Sequence, residues 1–217
     1  MKTRRGDVVS CVELHCTTVP VSYSQMDART LVEAMTLWEG TGTAVAQAAH
    51  AVSGLLSDHG IANLIAGGLA VQLHGYPRTT VDVDIVVADV QQAHEFLVAN
   101  GYKPSLVRMM AVIDPIRRVT IDLLPANKCL KRECEVPFPE PKKPEAIMQP
   151  VGLEELISLK LDSWKHSPAR RMQDKADVAA LVMRNTLPRD LKVHRAIQED
   201  YLALWDALAA EPPGPAA

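Results

Sequence analysis

A chain of 217 residues, 47% apolar and 23% charged, has the composition of a soluble globular protein and can bury one sizeable core with a small second lobe. Its net charge of −3 lacks the basic excess usual in nucleic-acid-binding domains. No apolar run approaches the roughly eighteen residues of a membrane span, and Asp7, Glu13 and His15 interrupt any secretory apolar segment after Met1–Arg5, so the expected setting is cytoplasmic with no membrane partner.

Residues 1–25 show no sustained period and contain Thr17, Thr18, Pro20 and Ser22, which reads as an irregular arm or an added strand. Asp27 is placed to cap a helix running to about Trp38, and Gly40-Thr41-Gly42-Thr43 breaks it. Ala44, Val45, Ala48, Val52, Leu55 and Leu56 recur at helical spacing, predicting a second helix from about Ala44 to Asp58 that Gly60 ends. The cysteines fall in two pairs with four intervening residues each, Cys11/Cys16 and Cys129/Cys134, open to zinc binding or to life as isolated reduced thiols.

The stretch that follows organises the chain. An apolar strand over Ile61 to Ala66 meets a diglycine turn, Gly67-Gly68, then a short helix, a Gly/Pro loop and a second strand with two aspartates, Asp82-Val83-Asp84. Side chains alternate along a strand, so Asp82 and Asp84 share a face with Cα atoms roughly 6.5–7 Å apart, and Val81, Val83 and Ile85 take the other. Two carboxylates so placed repel, and their presence asks for compensating positive charge, most simply a divalent metal. The diglycine lets a ligand approach backbone N–H groups where a helix begins, a place that favours phosphate. Phosphate and metal side by side is the layout of phosphoryl or nucleotidyl transfer.

Asp89 or Val90 starts a helix through Ala99, stopped by Asn100-Gly101. Two apolar runs, Leu106 to Ile113 and Ile116 to Leu124, joined by Asp114-Pro115, predict a hairpin. In the second run Thr120, Asp122 and Leu124 share a face, so Asp122 is either a solvated strand residue or a functional acid; Asp114 is better explained by its turn. Residues 125–150 are rich in proline and locally basic, through Lys128, Lys131, Arg132, Lys142 and Lys143, and read as an extended linker or a solvated edge. From Val151 the chain turns helical, with Leu153, Leu156, Ile157, Lys160 and Trp164 on one stripe. A lysine there needs an anion, from an acid of the next helix or from a ligand phosphate, unless its stem snorkels to the surface. Asp174, Asp177, Val178 and Leu181 fall on a stripe of the next helix, and the two acids are placed to pair with Arg171 or Lys160. A last helix spans about Pro188 to Ala210, and residues 211–217 form a tail expected to be disordered.

Gly67-Gly68, thirteen residues, then Asp82-Val83-Asp84 resembles the signature of the nucleotidyltransferase superfamily related to DNA polymerase beta. The filling, Gly-Gly-Leu-Ala-Val…His-Gly…Arg-Thr-Thr-Val-Asp-Val-Asp, is similar to the small bacterial branch that includes abortive-infection toxins and antibiotic nucleotidyltransferases. The resemblance implies an α/β nucleotidyltransferase fold, a small mixed sheet flanked by helices, with a core over 26–150 and a C-terminal helical lobe over 151–210. It implies Mg²⁺ or Mn²⁺ on Asp82, Asp84 and a third acid matched by Asp122, which would also serve as base. It places Gly67, Gly68, Arg78 and Lys160 at the nucleotide, although Arg78 is equally placed for a salt bridge to one of the strand acids. The implied partners are an NTP, an acceptor that is a tRNA end or a small molecule such as an antibiotic, and a cognate antitoxin protein. Gln173 stands where that branch often has a lysine, which puts a phosphate contact there in doubt and keeps open a non-catalytic nucleotide- or partner-binding descendant.

Overall fold

The computed structural model describes residues 42–129, 131–142 and 147–210, so the expected arm, the helix from Asp27, the Cys11/Cys16 pair and the tail lie outside the described residues. It is a mixed α/β fold. Helix α1 (Gly42–Asp58) leads through Gly60, at φ +74°, into strand β1 (Asn63–Ala66), which starts two residues later than the apolar run because Asn63 turns back to bond Ser53 and Ser57 of α1. Helix α2 (Gly67–Leu73) and strand β2 (Asp82–Val87) follow, then α3 (Val90–Ala99), whose first turn is capped by Asp89 Oδ1 accepting from the Gln92 N–H at 3.0 Å. Strands β3 (Lys103–Pro104), β4 (Ala111–Ile113) and β5 (Thr120–Pro125) complete a five-stranded sheet in the order β1-β2-β5-β4-β3.

The hairpin forms, with β4 and β5 antiparallel, and Asp114 holds its turn by accepting from the Ile116 and Arg117 N–H groups. Its first arm is shorter than the apolar run predicts. Leu106, Val107 and Met109 are almost fully exposed in a loop before β4, and only Ala111–Ile113 pairs. Val81, expected on the buried face of the acidic strand, precedes β2 and is exposed.

The pairing that matters for the site is β2 with β5, the parallel pair in this sheet, in a register that sets Asp84 opposite Asp122 and Asp82 opposite Thr120. Val83, Ile85 and Ile121, on the opposite face, are fully buried and Leu123 nearly so. Each such side chain contributes about 1.5–3 kcal/mol on burial, whereas two carboxylates ~6.5 Å apart at an effective dielectric of about 20 repel by roughly 2–3 kcal/mol. The apolar face therefore holds the acidic one in place.

After the proline-rich stretch, Gln149 and Val151 bond to both sides of Ile65 and deliver the chain along the β1 edge into α4 (Leu153–Lys165). Helices α5 (Met172–Arg184) and α6 (Gln198–Ala210) pack with it. The last helix is shorter than its apolar pattern suggests: residues 188–194 form turns, with the Tyr201 hydroxyl bonded to the Pro188 carbonyl, before a short 3₁₀ turn at Arg195–Ile197.

Candidate active site

Three acids meet at the start of the sheet. In-register neighbours on adjacent strands point to the same side, so Asp122 joins Asp84, and Asp82 lies one pleat away on that side. The guanidinium of Arg108, from the exposed loop before β4, bridges two of them: Nη1 is 3.1 Å from Asp82 Oδ2 and is also bonded to Asp122 Oδ2. Burial, reinforced by Asp82 and Asp122, pushes the Asp84 carboxyl up to about 6. Asp122 is also raised, by burial, with Arg108 working against the rise.

The glycine corner abuts these acids. Gly67, at φ +60°, leads α2, and a Cβ built on it would lie inside Asp84 Oδ2. A Cβ on Gly68 would come within 2.6 Å of Arg78 Nη2 and 2.7 Å of Thr80 Oγ1. Both positions demand the absence of a side chain, one for the carboxylate and one for a guanidinium that leans over the corner.

Arg78 does not pair with Asp82 or Asp84. Its Nε lies 2.9 Å from Oδ1 of Asp177, a residue of α5 with no exposed surface. Lys160, 5% exposed on α4, reaches the same carboxylate at 2.7 Å and Asp174 at 2.9 Å, and Gln173 donates to Asp177 Oδ1 at 2.9 Å. Of the anions open to Lys160, the structure supplies acids of the next helix; Arg171 stands farther off, 3.8 Å from Asp174. Gln173, where the resembling branch has lysine, is turned to Asp177.

Gly67, Gly68, Arg78, the three strand acids, Arg108 and Lys160 border one cleft of about 1210 Å³, open to solvent. An adjoining hollow of about 780 Å³ shares Gly67, Asp84 and Lys160 and is walled by apolar Leu124, Val136 and Phe138. The arrangement offers oxygen donors for a hard cation, cations for an anionic ligand, and an apolar recess beside them. The carboxylates fit a divalent ion by their chemistry: three acids share one side of the sheet, and Arg108, bonded to Asp82 and Asp122, is the cation that touches them.

Sequence reasoning missed Arg108 and the Arg78–Asp177 pair. A lone arginine inside the run Leu106 to Ile113 was the available signal for the first. The second joins residues 99 positions apart and has no local signature.

No protein-family model matches the chain, and no curated protein matches it. Solved structures similar to it include the solution structure of the antibiotic-resistance factor ANT(2'')-Ia and the crystal structure of ANT(2'')-Ia in complex with adenylyl-2''-tobramycin. Each shares 14% identity over 74% of this chain, covering 90% and 96% of its own chain respectively, at a TM-score of 0.44. So loose a likeness bears no weight for the chemistry, which rests on the side chains described above.

Proposed function

We propose that this chain is a metal-dependent nucleotidyltransferase, moving a nucleoside monophosphate from an NTP to an acceptor hydroxyl and releasing pyrophosphate. The observation that supports it is the in-register meeting of Asp84 and Asp122, with Asp82 beside them, against a corner where neither glycine can carry a side chain. Asp82, Asp84 and Asp122 would hold Mg²⁺ or Mn²⁺, which would supply positive charge to offset that of the phosphates.

The chain's own residues divide the remaining work. The Gly67 and Gly68 N–H groups would receive the phosphates, with Arg78 leaning over the corner and Lys160 on the cleft wall, each sharing its charge between Asp177 and the triphosphate. The acceptor oxygen attacks the α-phosphorus as the bond to the β-phosphate oxygen breaks, and pyrophosphate leaves with that electron pair. Asp122 takes the hydroxyl proton; burial raises its basicity, which suits a general base. The core would span 26–150, and the helices from residue 151 would close the cleft.

The test is to incubate the chain with each α-labelled NTP and Mg²⁺, together with total tRNA, an aminoglycoside panel or nothing, and to ask which species takes label. Asp82→Asn, Asp84→Asn and Asp122→Asn should each abolish transfer. Arg108 lying across two of the acids favours a second reading, a nucleotide-binding descendant without turnover. Tight NTP binding without pyrophosphate release would support that reading; equal activity in the Asn variants would remove both.

A further inference from the structure

A second donor cluster sits on the far wall of the apolar hollow. Asp162, in the last turn of α4, and His166, its C-cap, lie four apart, with His166 Nδ1 2.9 Å from the Asp162 carbonyl oxygen and 3.2 Å from its Oδ1. Asp162, 2% exposed, receives the Glu135 and Val136 N–H groups on Oδ2 at 3.1 Å each, docking the proline-rich loop onto the helix. That docking brings Cys134 to the pair. One ligand atom each from Cys134, Asp162 and His166 lies within 4.8 Å of the others.

We infer that Cys134, Asp162 and His166 form a binding site for one zinc ion that clamps residues 131–136 to α4. A thiolate, an imidazole and a carboxylate are three protein donors for tetrahedral Zn²⁺, with a fourth position left to water, and the sulfur donor separates the site from the all-oxygen one at the sheet, which suits Mg²⁺. Asp162 Oδ2 takes two loop N–H groups and Oδ1 only a longer share of one, 3.3 Å from the Glu135 nitrogen, so Oδ1 is the oxygen offered to the metal. The His166 Nδ1–H donates to the Asp162 carbonyl at 2.9 Å, which leaves Nε2 as the unprotonated ring nitrogen for the metal, and binding releases the Cys134 thiol proton.

The test uses full-length protein carrying Cys11→Ser and Cys16→Ser. Zinc is titrated against a chromophoric chelator, and Co²⁺ is titrated while absorption is recorded. Expected are one equivalent of zinc per chain, a thiolate-to-cobalt charge-transfer band, and a rise in melting temperature on adding zinc. Cys134→Ser and His166→Ala should each weaken zinc by more than about tenfold while leaving the zinc-free melting temperature unchanged. Cys129→Ser, outside the donor set, should leave the charge-transfer band and the zinc affinity in place. Zinc affinity no greater than that of the Cys129→Ser/Cys134→Ser double variant, a cobalt spectrum without a thiolate band, or a Cys129–Cys134 disulfide that persists with reductant and excess zinc would each overturn the assignment. None of these readouts depends on nucleotidyl transfer.

Discussion

Gly67 and Asp84 are packed so that the carboxylate occupies the space a side chain on the glycine would need, with the glycine at φ +60°. Gly67→Ala must therefore both strain the backbone and push Asp84 away from Asp122. A loss of about 1–3 kcal/mol in urea unfolding is expected, with loss of Mn²⁺ binding by the folded variant. Retained Mn²⁺ affinity would show that the corner does not position the acid.

The raised Asp84 carboxyl has a defined effect on stability. Folded, it holds its proton up to about pH 6; unfolded, an aspartate titrates near 4. Between those values the folded chain binds more protons, so this contribution is fully present below about pH 4 and is lost as pH rises through about 6. Metal-free Asp84→Asn should be more stable than the parent chain at neutral pH by up to about 2–3 kcal/mol, the gap closing toward about pH 4. Urea unfolding across that range measures it, and a pH-independent gap would contradict the account.

Asp177 is fully buried between Arg78 and Lys160. Asp177→Ala leaves two cations facing an empty pocket and should cost about 3–5 kcal/mol in chemical denaturation. A loss under about 1 kcal/mol would mean that the network is no stronger than a surface ion pair.

Arg108 is about half exposed, and its bridge to Asp82 and Asp122 is correspondingly screened. Without nucleotide, Arg108→Ala should tighten Mn²⁺ binding by up to about fivefold, the scale of an exposed ion pair no longer competing for the carboxylates. Calorimetric titration reads this directly, and weaker binding would make Arg108 a supporter of the metal site.

The glycine corner and the two-acid strand were legible because their signals are local: a diglycine between apolar runs, then strict alternation through Asp82 and Asp84. The buried lysine on α4 and the acids on α5 were legible as polar residues on apolar stripes, and the structure pairs them. The loop from Leu106 to Met110 was not legible, because an apolar run reads as a buried strand whether or not anything packs over it. The pairing of Arg78 with Asp177 was not legible, for another reason. Sequence proximity pointed to Asp82 and Asp84, whereas the packing of α5 offered a carboxylate with no water to solvate it.

Because β2 and β5 run parallel, the chain between them must cross over the sheet, carrying α3 and the hairpin arm with it, before residue 122 can reach residue 84. Long-range pairing of this kind closes late and slowly compared with neighbouring helices. A nascent chain that has emerged only as far as Val87 already exposes a glycine bend and two repelling carboxylates, but nothing that completes them. The cation binding proposed for these acids would thus be a property of the finished sheet, arriving only when the crossover closes.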